Sequence, residues 1–264
     1  LTDSGLSITQ WELFSGLLPP LNESDWNKYF NLYKKIPEYK LQNYYMTLDE
    51  FKVIFWWEWI HRFLGRLIGL LYIIPLIFFT LKIGFKKLIN LYLIFFLICF
   101  QGFLGWYMVS SGLVDKVDVS HFRLSVHLII AFFILSLLFW NYLKIKVTKN
   151  INQKLNYNTP LIFLILIFIQ ILIGAFVSGL DAGQIYNSWP LMGTTYFPND
   201  NEIFNLFYLS AFSDPSIVQF IHRNLAYVIL IFYLIILIYV YQKKINNFYN
   251  IINLLGIILL IQII

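Results

Sequence analysis

The chain has 264 residues, of which 59% are hydrophobic and 12% charged, and its formal net charge is +5 at pH 7. With a mean hydropathy of +0.69, this composition excludes an ordinary soluble globular protein and predicts an integral membrane protein. The lysines lie in short segments between apolar runs, without an interleaved basic and aromatic pattern, which argues against nucleic-acid binding.

Residues 1–52 are polar and aromatic, and they precede the first long apolar run. Within them, the stretch DWNKYFNLYKKIPEYK predicts a short amphipathic helix at the membrane surface. The segment has no cysteine, and the single cysteine of the chain, Cys99, lies in an apolar run. An internal disulfide and a zinc site built on several thiolates are therefore excluded.

Five apolar runs follow that are long enough, at roughly 20 residues each, to cross a bilayer. They lie at about 53–80, 88–110, 122–143, 160–180 and 216–241, and a sixth begins near residue 248. These runs predict an all-α polytopic membrane protein with about six transmembrane helices in this chain.

The connections between the apolar runs alternate in charge. Those after the first, third and fifth runs carry lysines and no acidic residue, whereas the intervening connections are acidic or mixed. By the positive-inside rule, the lysine-rich connections face the cytoplasm or the matrix of an organelle, and residues 1–52 face the outer side. We expect a multi-pass protein of the bacterial or mitochondrial inner membrane.

The first run contains FWWEWIHRFLGRLIG, an apolar helix with four ionisable residues. Such residues are costly in lipid and are candidates for function. Glu58, His61 and Gly65 are spaced to share one helix face, where a bare glycine would leave room for a flat ligand. Arg62 follows Glu58 by four residues, so a structural ion pair between them is an alternative to a chemical role for the carboxylate.

Two further histidines are predicted inside spans. His127 follows Arg123 by one helical turn, and His222 is followed directly by Arg223. Like His61, each lies roughly 8 to 12 Å below the predicted outer surface, at 1.5 Å per residue. A lone histidine in a span is often a core residue that only makes a hydrogen bond, but three at one depth favour a shared role.

Haem bound between helices explains this pattern. Histidine Nε2 ligates haem iron, and arginine pairs with carboxylates such as the propionates, which makes Arg62, Arg66, Arg123 and Arg223 candidates for that pairing. Zinc or di-iron sites need clustered acids or cysteines, and Glu58 is the one acid predicted inside a span. His121 lies at a span boundary and off the face of the third histidine, so it is given no role.

The sequence contains an internal repeat. HRFLGRLIG, which starts at His61, is similar to HRNLAYVIL, which starts at His222. SGLSITQW is similar to SGLDAGQIYNSWP, and QGFLGWYMVSSGL to QILIGAFVSGL. Each of the two histidines also precedes a glutamine by 40 residues, at Gln101 and Gln262.

The repeat predicts two pseudo-symmetric four-helix bundles, with eight transmembrane helices in the full protein. Residues 1–158 would form the first bundle and residues 159–264 the second. We expect a helix before Leu1, and a fourth histidine 26 residues beyond Gln262, as far as His127 lies beyond its own glutamine.

The two halves differ beside the histidine. The position of Glu58 is taken by Gln219, and that of Arg66 by Tyr227. Because a carboxylate near the ligand exists only in the first half, we predict chemistry at the first site and a supporting redox role at the second.

Five stretches in order, EFKVIFWWEWIHRFLGRLIG, QGFLGWYMVSSGL, VSHFRLSVHL, GAFVSGLDAGQIYNSWPLMG and VQFIHRNLAY, resemble the haem A synthase family. The resemblance extends along essentially the whole chain. It is strongest to the mitochondrial and alphaproteobacterial form, because residues 1–52 lack the outer-loop cysteine pair of some bacterial members.

The resemblance implies an oxidoreductase that converts the C8 methyl group of haem O to the formyl group of haem A for cytochrome oxidase assembly, with haem b as cofactor. His61 and His127 would flank the substrate haem, and His222 would bind haem b with a fourth histidine. Glu58 would transfer a proton or stabilise a cationic intermediate. A ferredoxin-type electron donor and haem O synthase are the implied partners, and a homo-oligomer stays open.

Two other readings remain from the residues alone. A non-catalytic di-haem cytochrome b in quinone-linked electron transfer would also need the histidines. A transporter would favour helices broken near the midplane, whereas the predicted spans are uninterrupted there and carry their charges near the outer end.

Overall fold

The structure, a computed structural model, describes residues 4–10, 18–115, 119–146 and 155–263. In these ranges it is helical, and the one β-bridge found there joins Met192 and Thr195. The helices are α1 Glu23–Tyr33, α2 Pro37–Leu41, α3 Leu48–Ile83, α4 Ile89–Asp115, α5 His121–Lys146, α6 Asn158–Gly179, α7 Pro215–Gln242 and α8 Tyr249–Ile263.

Five stretches of the described chain are long and apolar enough to cross a membrane. They are Leu48–Ile83, Phe85–Ser110, His121–Lys146, Asn158–Gly179 and Pro215–Gln242, and a shorter apolar stretch covers Asn246–Gln262. The prediction of an all-α polytopic membrane protein is confirmed. The chain divides into two compact units, Leu1–Phe139 and Trp140–Ile264, which are described separately below.

In the first unit, α3 begins before the apolar run that predicts it. Thr47 and Glu50 form a capping box, in which the Thr47 hydroxyl accepts from the Glu50 N–H and the Glu50 carboxylate accepts from the Thr47 N–H. The helix therefore starts in a polar stretch of sequence, and Phe51 lies in the helix ahead of the apolar run. It ends at Gly84, whose φ of +85° suits a residue without a side chain.

The N-terminal end of α3 is covered by an aromatic layer. The segment predicted to be amphipathic forms α1 and α2, and its apolar side packs on α3 around Phe51 and Phe55. Tyr33 is fully buried and donates to the Glu38 carboxylate at 2.7 Å. Burial, followed by the hydrogen bond to this carboxylate, raises the pKa of Tyr33 above its usual range. The layer fixes the N-terminal segment against α3.

Below this layer, α3, α4 and α5 expose mostly apolar side chains, as helices in lipid do. Polar interhelix contacts tie them together. The Tyr72 hydroxyl on α3 donates to the carbonyl of Leu91 on α4 at 2.9 Å. The Gln101 amide on α4 donates to the carbonyl of His127 on α5 at 2.8 Å.

In the second unit, α6 packs along α7, and α7 packs against α8. Asp214 caps α7 by accepting from the Ile217 N–H at 2.9 Å, and Pro215 occupies the first turn. Tyr233 on α7 donates to the carbonyl of Ile252 on α8 at 3.2 Å. The connection between α6 and α7 contains short 3-10 turns and contacts the N-terminal part of α7.

Candidate functional site

The first unit brings together two histidines that are far apart in sequence. His61 on α3 and His127 on α5 face each other with ring centres 6.3 Å apart and ring planes tilted by 59°. Two imidazoles on one metal ion have a similar separation, roughly 6 Å, because each metal–nitrogen bond is about 2.0 Å and each nitrogen lies about 1 Å from its ring centre. The distance between the two rings agrees with two ligands of one haem iron, and that role stays a prediction.

The surroundings of these histidines leave room for a ligand. His61 is exposed, and nothing lies within 4 Å of a Cβ built on Gly65, one turn further along the same face. The Nδ1 atom of His127 is buried without a hydrogen bond in the described part of the chain. The open space at Gly65 is compatible with the flat ligand that the sequence predicts, and the ligand itself stays a prediction.

Glu58 is 6% exposed, and its carboxylate points to the N-terminal segment. It accepts from the Ser7 hydroxyl at 2.6 Å, from the Ile8 N–H at 2.7 Å and from the Arg62 guanidinium at 2.5 Å. All three partners are donors, so the carboxylate acts only as an acceptor. The Glu58–Arg62 ion pair considered from sequence is present.

Arg62 also makes hydrogen bonds to the N-terminal segment, residues 4–10. Its guanidinium donates to the carbonyl of Ile8 at 2.9 Å and to that of Gln10 at 3.4 Å. Together, Glu58 and Arg62 bind both the N–H and the C=O of Ile8. We call this arrangement the first clamp, because it fixes the N-terminal segment to the turn of α3 that carries His61.

Arg62 and Arg66 line a small pocket beside the N-terminal segment. The other lining residues are Ile8, Gln10, Leu18, Tyr29, Phe55 and Trp59. On an ideal helix, Arg62 and Arg66 lie about 100° and 140° around the axis from His61. The structure thus places both arginines on the side of the outer segment, and their pairing with a propionate stays a prediction.

Arg123 is held against α4. Its guanidinium carbon lies 4.6 Å from the ring centre of Tyr107, which is a cation–π contact. In this position the positive charge of Arg123 lies one helical turn before His127 on α5.

In the second unit, His222 on α7 packs against α6. The Gln170 amide nitrogen lies 3.2 Å from the carbonyl oxygen and 3.3 Å from the ring Nε2 of His222. The Nδ1 atom is buried without a hydrogen bond in the described residues. Among those residues, no three His, Cys, Asp or Glu side chains gather as a metal cluster in either unit.

A second clamp lies beside His222. Arg223 donates to the carbonyls of Tyr186 at 2.6 Å and Ser188 at 2.8 Å. Gln219 donates to the same Tyr186 carbonyl at 2.9 Å. As in the first clamp, the arginine directly after the histidine donates to two carbonyls that lie two residues apart. The residue three positions before the histidine also makes a hydrogen bond to the same segment.

The clamps establish a correspondence that the sequence comparison missed. In the clamps, Ile8 corresponds to Tyr186 and Gln10 to Ser188. This alignment is shifted by four residues from the alignment of the two SGL motifs. The four extra residues are DAGQ, 181–184. A tryptophan directly after Gln10 and after Ser188 is the signal in the sequence that could have revealed this register.

The two clamps differ in charge. Glu58 neutralises Arg62, whereas Gln219 gives Arg223 no counter-charge at the matching place. Tyr227, at the position of Arg66, accepts from the Trp189 indole N–H at 2.7 Å. At these two positions the second unit has the neutral residues Gln219 and Tyr227. The first unit has the charged residues Glu58 and Arg66 there.

The chain is similar to proteins of known name along its whole length. A family model, COX15-CtaA, described as cytochrome oxidase assembly protein, matches residues 1–264. The haem A synthase of Pelagibacter ubique strain HTCC1062 is 56% identical, over 94% of this chain and 74% of that protein. The haem A synthase of Rickettsia bellii strain RML369-C is 46% identical, over 100% of this chain and 80% of that protein.

A third relative, the haem A synthase of Parvibaculum lavamentivorans, is 44% identical over 88% of this chain and 68% of that protein. No solved structure matches the chain.

Proposed function

Since the chain belongs to the COX15-CtaA family of cytochrome oxidase assembly proteins, we propose that it is a haem A synthase, an integral membrane enzyme that acts on haem. The relatives that carry this name reach 56% identity over nearly the whole chain. The resemblance noted from five sequence motifs agrees with this membership.

The proposed reaction is the oxidation of the C8 methyl group of haem O to the formyl group of haem A. The observation that carries the proposal is the pair His61 and His127, whose ring centres are 6.3 Å apart on two different helices. In this position the two rings would hold the substrate haem, and the open space at Gly65 would admit its flat ring.

Glu58 has a proposed chemical role in this site. It lies one turn before His61, and stabilisation of positive charge on the carbon being oxidised, or transfer of a proton from it, suits a carboxylate. The same carboxylate holds Arg62 and the N-terminal segment. We propose that the first clamp keeps water away from the substrate and fixes the orientation of Glu58.

The second unit has the proposed supporting role. His222 is a ligand for haem b, and Arg223, which has no carboxylate partner at the place of Glu58, contributes positive charge for a propionate. Haem b supplies one-electron redox chemistry when it is bound. Residues 1–158 and 159–264 would be the two pseudo-symmetric halves.

Three further parts of the proposal concern the cellular context. Lysine-rich connections place residues 1–52 and both haem sites toward the outer side of an inner membrane. Electrons would come from a ferredoxin-type donor, and haem O would come from haem O synthase. A homo-oligomer is compatible with these assignments.

Histidine substitutions test the division of roles. His61→Ala should abolish haem A formation in membranes that also contain haem O synthase, while the purified complete protein keeps haem b. His222→Ala should remove haem b from the purified protein. Normal haem A formation by His61→Ala, or full haem b content in His222→Ala, would contradict the assignment.

A further inference from the structure

A glutamine and a glycine, four residues apart, face a histidine of the next helix in both units. On α4 they are Gln101 and Gly105, and they face His127 on α5. On α6 they are Gln170 and Gly174, and they face His222 on α7. The spacing puts each glutamine and glycine on one helix face. We call each such face a histidine cradle.

The glutamine of each cradle fixes the helical turn that carries the histidine. Gln101 Nε2 donates to the main-chain carbonyl of His127 at 2.8 Å, and Gln170 Nε2 donates to that of His222 at 3.2 Å. The Gln170 amide nitrogen also lies 3.3 Å from Nε2 of the His222 ring. The side-chain amide is therefore next to both the backbone and the imidazole.

The glycine of each cradle makes space for the ring. A Cβ on Gly105 would lie 3.4 Å from Cε1 of His127, and one on Gly174 would lie 3.2 Å from Cε1 of His222. An added methyl group would press on the imidazole in either unit. The glycines thus determine how closely the ring can approach the neighbouring helix.

Four polar atoms at these two contacts have no hydrogen bond in the described chain. They are Oε1 of Gln101 and Gln170, and Nδ1 of His127 and His222. A buried polar atom without a hydrogen-bond partner is unfavourable. The same two atoms, a glutamine Oε1 and a histidine Nδ1, are in this state in both units, which requires an explanation. Histidines that ligate metals usually donate their second ring N–H to an acceptor.

We propose that Gln101 and Gln170 are positioning residues for the ligand histidines of the two haem sites. Each amide holds the histidine carbonyl through its Nε2 and would offer its Oε1 to the Nδ1–H that remains when the ring Nε2 binds iron. At His222 the ring would first turn, because its Nε2 now lies beside the Gln170 amide. The glycine lets the ring turn into that position. This inference rests on the proposed function, because it requires the histidines to bind haem.

The test uses the complete protein purified with its haem b. Gln170→Leu removes both hydrogen bonds but keeps the size of the side chain. Tyr233→Phe is the matched control, because it removes another interhelix bond to a main-chain carbonyl in the same unit, between α7 and Ile252 on α8. The readouts are the midpoint potential, the low-spin electron paramagnetic resonance spectrum, and the rate of haem transfer to apomyoglobin.

We expect Gln170→Leu to raise the midpoint potential, because an imidazole without its acceptor is a weaker donor to iron. Haem loss should become several-fold faster. Gln170→Glu, which offers a stronger acceptor, should lower the potential, and Tyr233→Phe should leave all three readouts unchanged. Gly174→Ala should alter the resonance spectrum even if Gln170→Leu does not fold.

An unchanged potential and spectrum in both Gln170→Leu and Gly174→Ala would overturn the inference, and so would equal shifts in Gln170→Leu and Tyr233→Phe. His222→Ala separates this failure from failure of the proposed function. If His222→Ala loses haem b while the glutamine and glycine variants match the wild type, only the cradle is wrong. If the wild type carries no haem b, or His222→Ala keeps it, the haem assignment itself is wrong.

Discussion

Glu58 combines two roles that can be separated by substitution. Its carboxylate is one turn from a histidine proposed to hold the substrate. It also receives two hydrogen bonds from the N-terminal segment, from Ser7 and Ile8, and one from Arg62 on its own helix. The second unit has Gln219 at the same place, where the amide donates to a carbonyl instead. The side chain at this position therefore has a structural function in both units, and a negative charge in only one.

Glu58→Gln gives the first unit the residue type of the second. We expect haem A formation to fall by about 100-fold or more, as for loss of a group that stabilises transition-state charge. The free energy of unfolding should fall by about 1–3 kcal/mol, because Arg62 loses its buried counter-charge. Pigment extraction and thermal unfolding measure the two effects, and Glu23→Gln in the exposed first turn of α1 is the control.

Ser7→Ala removes a single donor from the Glu58 carboxylate and leaves its charge in place. We expect the free energy of unfolding to fall by about 1 kcal/mol, since one hydrogen bond is lost, and haem A formation to stay within about threefold of the wild type. Equal losses of haem A formation in Ser7→Ala and Glu58→Gln would mean that Glu58 acts only by holding the segment.

The ionisable residues of the site could be found from sequence, because charged side chains stand out in an apolar run. Glu58, His61 and Arg62 were recognised in this way, and the structure shows the ion pair that was one of the alternatives. The partners of the carboxylate could not be predicted. Ser7 and Ile8 are about 50 residues away, and nothing in their composition indicates a contact with α3.

At the scale of elements, hydropathy predicts the spans well and their ends less well. The run at 216–241 corresponds to α7, Pro215–Gln242, because Asp214 and Pro215 mark its start clearly. The run at 53–80 corresponds to α3, Leu48–Ile83, which starts earlier because the capping box lies in the polar stretch of sequence. Hydrogen bonds at a helix start, rather than apolar length, determine these ends.

The outer connection of the second unit has a carboxylate whose ionisation stabilises it. Asp200 accepts from the Tyr186 hydroxyl at 2.9 Å and from the Ser216 hydroxyl at 2.6 Å. Partial burial opposes ionisation, but the hydrogen bonds from Ser216 and Tyr186 outweigh it and hold the pKa of Asp200 below its usual value. The connection is thereby joined to the first turn of α7.

This arrangement predicts a pH dependence. A carboxyl group with a lowered pKa in the folded state contributes stability that is fully present above its unfolded pKa of about 3.9 and is lost as pH falls through the lower folded value. Hydrogen exchange of residues 186–202, corrected for intrinsic rates, should therefore accelerate in the wild type only below about pH 4. In Asp200→Asn the acceleration should be present at neutral pH; an Asp200→Asn variant that exchanges like the wild type at pH 7 would contradict this role.

At the scale of the whole molecule, similar parts recur in two units with two changes of charge, from Glu58 to Gln219 and from Arg66 to Tyr227. Each unit has a clamp from an arginine to two carbonyls and a glutamine–glycine cradle; both lie at His222 in the second unit, whereas in the first the clamp is beside His61 and the cradle faces His127. The repeat itself was visible in sequence because the motifs around the histidines are similar. The four-residue offset between the outer segments was not, since an insertion in a loop leaves no hydrophobic pattern.

The most direct test of the account is pigment analysis of membranes in which the complete protein is coexpressed with haem O synthase. The account predicts that haem A appears only when the protein is present, and that Glu58→Ala abolishes haem A while haem b stays bound. Membranes that contain haem b and unchanged haem O, with no haem A, would contradict the assignment as a haem A synthase.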